Sequence, residues 1–144
     1  MRTRITDFNA VITFQGPTLD FSGQRFPYSP TVTLVADGQY DFPIGSELFG
    51  FVGASLTYNS STSSALRNRT TDTTQRDERF DIDAYTLIDL RAGVSSADDT
   101  WRVYAYGRNI TDKFYWTTVL DNVSSIVRYT GQPATYGVGF SYNF

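Results

Sequence analysis

The feature that most constrains this chain is a two-residue alternation of apolar and polar side chains, which recurs along most of its length. The clearest example is the C-terminal segment Ala134–Phe144. One of its faces carries aromatic and branched side chains, namely Tyr136, Val138, Phe140, Tyr142 and Phe144. Because successive side chains of a β-strand point to opposite faces, this period predicts a strand with one apolar and one polar face.

The same alternation predicts about six strands. They are Thr6–Phe14, Thr31–Phe42, Glu47–Asn59, Ile82–Val94, Trp101–Ile110 and Ala134–Phe144. Each spans about 9 to 13 residues, which is the length that a tilted strand needs to cross the hydrocarbon core of a bilayer. Aromatic side chains cluster near the strand ends, as in the aromatic girdles of membrane barrels. They include Tyr40, Phe42, Tyr58, Trp101, Tyr142 and Phe144.

The connections between these strands alternate in length. Two are short turns, Phe42–Glu47 and Val94–Trp101, and three are long and polar, Gln15–Pro30, Ser60–Asp81 and Thr111–Pro133. Outer-membrane barrels have short periplasmic turns and long extracellular loops. The pattern therefore predicts an all-β fold, an antiparallel transmembrane β-barrel segment of about six meandering strands. Ser60–Asp81 is polar enough to fit a disordered linker between two domains as well.

Composition argues against several kinds of function. The net charge is −3 without a long block of like charge, so the basic footprint of a nucleic-acid-binding protein is missing. The chain has no cysteine and no histidine, which removes thiolate chemistry, the commonest general base and the commonest metal ligand. We therefore expect no catalytic residue, no metal site and no cofactor. No run approaches ~18 apolar residues, and the N-terminal segment lacks the apolar core of a secretory signal.

Five motifs resemble segments of one known family. They are residues 22–30 (SGQRFPYSP), 85–91 (YTLIDLR), 101–103 (WRV), 109–113 (NITDK) followed by Tyr115, and 131–138 (GQPATYGV). Together they resemble the C-terminal end of the β-barrel of TonB-dependent receptors. Ala134 departs from the pattern, because the family often has arginine at that position.

The resemblance implies a barrel of about 22 strands, of which residues 1–144 would be the C-terminal part. A signal peptide, a plug domain and the earlier strands would then lie outside the chain. The implied function is energised uptake of a scarce nutrient, such as siderophore-bound iron, a vitamin or a saccharide, across the outer membrane of a Gram-negative bacterium. The implied partners are outer-membrane lipid, the barrel-assembly machinery, TonB and the nutrient. Since six strands cannot close a barrel, we expect no stable membrane structure from this chain alone.

Two groups of side chains are candidates for a functional role. Phe140, Tyr142 and Phe144 resemble the C-terminal signal that the assembly machinery recognises, although they also fit simple lipid contacts. Arginine and aromatic residues of the predicted loops are candidate ligand contacts, because both types are common anchors of binding surfaces. These are Arg67, Arg69, Trp116, Arg128 and Tyr129. For Tyr115 we favour a place in the outer aromatic girdle, and Trp116 fits either role.

Charged side chains on the polar faces are expected to pair across strands and line a wet interior. They are Asp83, Asp89, Arg91, Arg102 and Arg108. Asp98 and Asp99 lie in a predicted turn, where aspartate bonds the local backbone.

Three other interpretations remain open at this point. A complete small outer-membrane barrel with a structural or adhesive role fits the length but requires about eight strands. An outer-membrane hydrolase usually needs a histidine, and this chain has none. A soluble β-sandwich also favours aromatic residues, but its strands are often shorter than those predicted here.

Overall fold

The computed structural model describes residues 4–6, 9–11, 18–66, 78–122 and 125–144. Apart from one 3₁₀ turn at Glu78–Phe80, every regular element in this part of the chain is a β-strand. The strands are β1 (Asn9–Val11), β2 (Thr18–Asp20), β3 (Thr33–Ile44), β4 (Leu48–Asn59), β5 (Thr62–Ser63), β6 (Asp81–Ile82), β7 (Tyr85–Ser96), β8 (Trp101–Arg108), β9 (Trp116–Asn122), β10 (Ser125–Thr130) and β11 (Thr135–Tyr142). Among the described residues no helix is long and apolar enough to cross a membrane.

The long strands form one antiparallel sheet of five, in the order β11-β8-β7-β4-β3. Each strand pairs with the next long strand along the chain, so the sheet is a meander. Strand β4 is paired along all twelve of its residues with both β3 and β7. This continuous register fixes which side chains share a face, because a shift of one residue would turn every side chain over.

The turns at one end of this sheet are tight. Gly45, in the turn between β3 and β4, has a φ of +74°, which glycine adopts without steric cost. Asp99, in the turn between β7 and β8, has a φ of +56°. The amide of Ala97 donates to the carbonyl of Glu47 at 2.9 Å, so the two turns are bonded to each other. The connections at the other end are long, residues 60–84 and 109–134.

The described parts of residues 4–32, 60–84 and 115–130 form a separate unit of three short hairpins. Its strand pairs are β1 with β2, β5 with β6, and β9 with β10. The buried apolar side chains of this unit are Phe21, Ile82 and Val119, with exposed fractions of 6%, 4% and 2%. The Tyr28 hydroxyl donates to the carbonyl of Val119 at 3.1 Å, and this bond ties a loop to the β9–β10 hairpin.

The all-β, antiparallel, open-barrel fold predicted from the sequence is confirmed, and five of the six predicted strands form the sheet. The prediction for Thr6–Phe14 differs from the structure. Within it Asn9–Val11 pairs with Thr18–Asp20 instead of joining the sheet, while residues 7–8 and 12–14 lie outside the described part. The long connections also contain hairpins that alternation did not predict, because strands of two to seven residues carry too few side chains to show a period.

Candidate functional site

One face of the five-stranded sheet is apolar and exposed. A single cross-strand row runs Val138, Ala105, Ala92, Val52 and Tyr40. The exposed fractions of Val138, Val52 and Tyr40 are 84%, 47% and 69%. Neighbouring rows are apolar too, so the exposed apolar area is continuous across all five strands. A surface of this kind marks a place where another apolar phase or partner makes contact.

Large rings on this face lie over glycines of the neighbouring strand. A Cβ atom built on Gly107 would come within 2.9 Å of the Tyr136 ring, and one on Gly50 within 2.6 Å of the Phe42 ring. The missing side chains therefore let the rings lie flat on the sheet. We refer to this surface, centred on the row from Val138 to Tyr40, as the apolar face.

The opposite surface, which we call the polar face, holds a hydrogen-bonded network around Arg91. Its guanidinium group donates to both carboxylate oxygens of Asp37 at 2.9 Å, and its Nε donates to the amide oxygen of Gln39 at 3.2 Å. Gln39 donates in turn to Asp41 at 2.9 Å. Two parallel bonds between arginine and a carboxylate fix orientation as well as charge. The network therefore links β7 to β3.

Gly53 makes this link possible. It lies in β4 between Arg91 and Gln39, with which it is paired on either side. A Cβ atom at Gly53 would sit 2.7 Å from the Nε atom of Arg91. The absence of a side chain at Gly53 therefore leaves the space in which the arginine crosses β4 to reach Asp37.

Strand β8 contributes a line of four side chains to the polar face, Arg102, Tyr104, Tyr106 and Arg108. The Cζ atom of Arg102 lies 4.1 Å from the centre of the Phe51 ring, and that of Arg108 lies 5.6 Å from the centre of the Tyr106 ring. The Tyr104 and Tyr106 rings are 6.2 Å apart. Both arginines thus lie within cation–π range of an aromatic ring.

The two tyrosines of β8 extend across β11 and lie over its glycines. A Cβ atom on Gly139 would come within 2.4 Å of Tyr104, and one on Gly137 within 2.6 Å of Tyr106. At this edge the polar face is therefore lined by the phenol rings, because Gly137 and Gly139 contribute no side chains to it. Glycine serves the same steric purpose on both faces of the sheet.

Asn109 ends the alternation of β8 and holds the following loop. Its side chain donates to the carbonyls of Lys113 at 3.0 Å and Gln132 at 2.9 Å, and its oxygen accepts from the Lys113 amide at 2.9 Å. Its own amide donates to Asp89 at 2.8 Å. Only 4% of the surface of Asn109 is exposed. Its φ of +47° is a left-handed backbone conformation, which asparagine tolerates better than most residues.

Asp112 completes this arrangement, because its carboxylate accepts from the amide of Ala134 at 2.9 Å. The NITDK motif therefore fixes the chain immediately before β11. Sequence reasoning used the motif for a family resemblance but did not identify Asn109 and Asp112 as positioning residues. The signal was present, since asparagine and aspartate favour turns and local backbone bonds.

Asp98 lies in the turn between β7 and β8, outside the strands. The Ser96 hydroxyl, followed by the side chain and amide of Thr100, lowers the pKa of the Asp98 carboxyl from 3.8 to about 2. The amide of Thr100 donates to Asp98 at 3.1 Å. The predicted turn role of Asp98 thus has a geometric basis. Among the described residues no group of acidic, histidine or cysteine side chains is arranged to hold a metal ion.

The three aromatic residues predicted to form an assembly signal lie at the C-terminal end of the apolar face. Their exposed fractions are 67% for Phe140, 51% for Tyr142 and 115% for Phe144. The rings of Tyr142 and Phe144 meet edge to face, with 5.3 Å between their centres. All three are therefore open to an apolar partner.

Of the predicted loop contacts, the structure brings Trp116 and Arg128 together in the β9–β10 hairpin. The Cζ atom of Arg128 lies 5.3 Å from the centre of the Trp116 ring, and its guanidinium donates to the carbonyl of Arg79 at 3.1 Å. Tyr129 is 53% exposed in the same hairpin. Tyr115 directly precedes β9. Arg67 and Arg69 lie outside the described residues.

The expectation of cross-strand ion pairs is met only for Arg91 among the five charged residues named from the sequence. Its partner Asp37 was not among them. Asp89 instead accepts a backbone bond, and Arg102 and Arg108 lie against aromatic rings. Asp83 falls before β7, in the unit of hairpins. Alternation predicts the face of a side chain, but the partner depends on strand register and on side-chain length.

An antiparallel meander with an exposed apolar face and a hydrogen-bonded polar face defines the wall of a β-barrel. Residues 3–110 match the family model described as TonB dependent receptor-like, beta-barrel. This match covers more than half of the 144 residues, and the chain belongs to that family. The family is one of receptors and transporters, not of enzymes. No curated protein and no solved structure matches the chain.

Proposed function

We propose that this chain is a wall segment of a TonB-dependent receptor that imports a scarce nutrient through the outer membrane of a Gram-negative bacterium. The observation that carries the proposal is the continuous exposed apolar face, which runs across five strands with Val138, Val52 and Tyr40 in one row. Hydrocarbon is the medium that covers such a face on the outside of a membrane barrel. The polar face, with Arg91, Asp37 and Gln39, then lines the aqueous interior.

The lengths of the connections support a direction across the membrane. The tight turns at Gly45 and Asp99 belong on the periplasmic side, where outer-membrane barrels keep their connections short. Residues 60–84 and 109–134 then lie outside the cell and contribute to nutrient capture. Energy for transport comes from the inner-membrane proton gradient through TonB, which is the mechanism of the receptor family.

The open edges of the sheet support a larger barrel. Among the described residues, β3 and β11 each have only one partner strand. An unpaired strand edge in hydrocarbon costs several kcal/mol for each unsatisfied backbone group, so further strands must close the wall. We assign residues 1–144 to the C-terminal part of a barrel of about 22 strands, the size of plugged outer-membrane transporters.

Three of the predicted residues have a proposed role in assembly. Phe140, Tyr142 and Phe144 present exposed rings at the end of β11, where the barrel-assembly machinery can bind them. Removal of Phe144 is expected to reduce the amount of protein inserted in the outer membrane. A matched change on the polar face of the same strand, Ser141→Ala, should leave insertion unchanged. An equal reduction of insertion in both variants would contradict the proposed assembly role of these aromatic residues.

The hairpin residues Trp116, Arg128 and Tyr129 are proposed as ligand contacts, together with Arg67 and Arg69. An arginine held over a tryptophan ring combines a cation with a broad apolar surface, as in many binding sites. Tyr129 adds an exposed phenol in the same hairpin.

The test of the membrane assignment uses the absence of cysteine from residues 1–144, since an introduced thiol is then the only one in this segment, and the receptor without an introduced thiol gives the background labelling. Ala54→Cys and Leu56→Cys place thiols on the apolar face of β4, and Ser55→Cys and Thr57→Cys place matched thiols on its polar face. In outer-membrane vesicles, a water-soluble maleimide should label only the second pair. In a second measurement each of the four thiols carries a fluorophore. A lipid-soluble quencher should then reduce the fluorescence only at Ala54→Cys and Leu56→Cys. Equal labelling of adjacent positions would overturn the proposal.

A further inference from the structure

The apolar face is not flat, because a shallow groove of about 720 Å³ lies over β8 and its neighbouring strands. The side chains that line it are mainly hydrophobic, among them Val52, Leu90, Ala92, Ala105, Tyr136 and Val138. Arg91 also borders the groove, but its guanidinium group is bonded to Asp37 on the polar face. The charge of this arginine is therefore neutralised away from the groove.

The strand register explains the depression, because it places small residues beside large ones. Gly107 of β8 is paired with Tyr136 of β11 on one side and with Leu90 of β7 on the other. In the next row, Ala105 of β8 is paired with Ala92 of β7. These three small residues form the floor of the groove, and the larger side chains of the flanking strands rise beside it.

The width of the groove restricts what can enter it. Neighbouring strands are about 4.8 Å apart, so the two strands that flank β8 are separated by roughly 10 Å between their axes, and their side chains narrow this space. An α-helix with its side chains is about 10–12 Å across, which is too wide. A single extended hydrocarbon chain is narrow enough. The shape therefore favours a lipid acyl chain over a helical protein partner.

The position of the groove along the strands indicates a side of the membrane. Gly107 and Ile110 lie at the end of β8 where the long connection 109–134 begins, and the amide of Ile110 donates to the carbonyl of Ile88 at 2.9 Å. The tight turns are at the opposite end of the sheet. In the orientation proposed above, this end faces the outside of the cell, so a lipid in the groove belongs to the outer leaflet.

A cation lies at the same end of the groove. Lys113 is exposed, and its amide and carbonyl are bonded to the side chain of Asn109 at 2.9 and 3.0 Å. Asn109 directly precedes Ile110, which lines the groove. The carboxylate of Asp112, next to Lys113, accepts from the amide of Ala134. An exposed ammonium group is therefore available where a lipid headgroup would lie, and phosphate is a group that lysine binds.

We propose that the groove binds one saturated acyl chain of an outer-leaflet lipid, and that Lys113 contacts the phosphate of its headgroup. The surrounding medium is also hydrocarbon, so burial of apolar area does not favour binding, whereas close van der Waals packing does. A cis double bond bends an acyl chain and reduces that packing. The inference rests on the proposed membrane assignment and names a lipid partner for the wall.

The test is photo-crosslinking of the receptor, made from its complete reading frame, in vesicles of dioleoyl phosphatidylcholine. The vesicles contain a trace of saturated phosphatidylglycerol that carries a photoactivatable diazirine on one chain. Mass spectrometry compares adducts at residues 88–92 and 103–110 with those at residues 34–42 of the same face. Unlabelled dipalmitoyl phosphatidylglycerol should reduce the adducts at the groove about threefold more than dioleoyl phosphatidylglycerol does, because the straight chain packs better. Equal competition by the two lipids would overturn the inference.

Variants that fill the groove test its shape. Ala92→Leu and Ala105→Leu should each lower the adduct yield at the groove by about threefold, because the added side chain takes the place of the acyl chain. The matched control is Ala36→Leu, the same substitution at an exposed position of β3 on the apolar face, which should leave the yield unchanged. An unchanged yield in both groove variants would contradict the proposed site.

A second pair of variants tests the headgroup contact. In the unchanged receptor, dipalmitoyl phosphatidylglycerol should compete better than dioleoyl phosphatidylglycerol both with Lys113 and with Lys113→Arg, which keeps the charge. Lys113→Ala should weaken competition by each phosphatidylglycerol while the preference for the saturated chain remains. Competition that is insensitive to Lys113→Ala would contradict the phosphate contact.

This experiment and the thiol-labelling experiment can fail separately. Thiol labelling reports whether the two faces of β4 meet different media, and it does not depend on the lipid bound over β8. Correct thiol labelling with equal competition by saturated and unsaturated lipid would leave the receptor proposal intact and exclude the acyl-chain site. Equal thiol labelling of both faces would contradict the membrane assignment itself.

Discussion

The apolar and polar faces belong to the same five strands, and in β8 they are separated by a single step along the chain. Val103 and Ala105 are on one face, while Tyr104 and Tyr106 are on the other. Both faces use glycine to make room for a long side chain, but the side chain differs. Phe42 lies over Gly50 on the apolar face, and Arg91 lies over Gly53 on the polar face. Because both faces share the same backbone, the difference in polarity between them comes only from their side chains.

The largest expected effect comes from placing a charge on the apolar face. Val52→Arg, in the middle of β4, should destabilise the membrane-embedded protein by about 2–4 kcal/mol, the cost of an arginine near the bilayer midplane. Ser55→Arg, on the polar face of the same strand, should cost less than about 1 kcal/mol. Urea unfolding in lipid vesicles measures both values. Equal destabilisation would mean that the two faces do not meet different media.

The next effect is at Asn109, where the alternation of β8 ends. Asn109→Ala removes three part-buried hydrogen bonds to the backbone of Lys113 and Gln132, and a typical hydrogen bond contributes about 0.5–1.5 kcal/mol. We expect a loss of roughly 2–3 kcal/mol in the unfolding free energy. Asn143→Ala is the control, since the side chain of this exposed asparagine makes a single bond, to the carbonyl of Asp99, and the substitution keeps the bond from its amide to Thr100. A loss no greater than that of the control would show that Asn109 does not hold the loop.

A smaller effect is expected from the Arg91–Asp37 pair, because both side chains are partly exposed to solvent, by 34% and 52%. Arg91→Ala and Asp37→Ala should be destabilising singly and non-additive together. A double-mutant cycle in the same vesicles measures the coupling. Gly53→Ala should lose the coupling without removing either charge, since its Cβ would occupy the path of Arg91. Additive single effects would contradict the network.

The smallest effect is a pH dependence at the turn. The pKa of Asp98 is lowered from 3.8 to about 2 in the folded protein, so its contribution to stability is present above about pH 4. It is lost as the pH falls from about 4 towards 2, because protonation removes the acceptor. In Asp98→Asn, the urea midpoint of unfolding should change less with pH over this interval than in the unchanged protein. In Asp99→Asn, the pH dependence of the midpoint should be retained. An unchanged slope in Asp98→Asn would exclude this contribution.

The long strands were predictable because a period of two persists over at least eight residues in each of them. The Arg91–Asp37 contact was not, since the two residues are 54 positions apart and separated by a whole strand. Gly53 was the only local indication that an arginine crosses there. A pocket in the unit of hairpins, lined in part by Gln24, Phe26 and Asp83, was equally unpredictable, because separate stretches of chain that share no pattern form it.

The unpaired edges of the meander affect how the protein behaves in water, before it reaches a membrane. Strand β11 exposes one backbone edge along Thr135–Tyr142, and β3 exposes another along Thr33–Ile44, within the described part of the chain. In water, such edges pair readily with any extended segment, including those of sister molecules. A copy that remains in water would therefore be prone to edge-to-edge association, so keeping this sheet soluble requires cover for its two strand edges as well as for its apolar face.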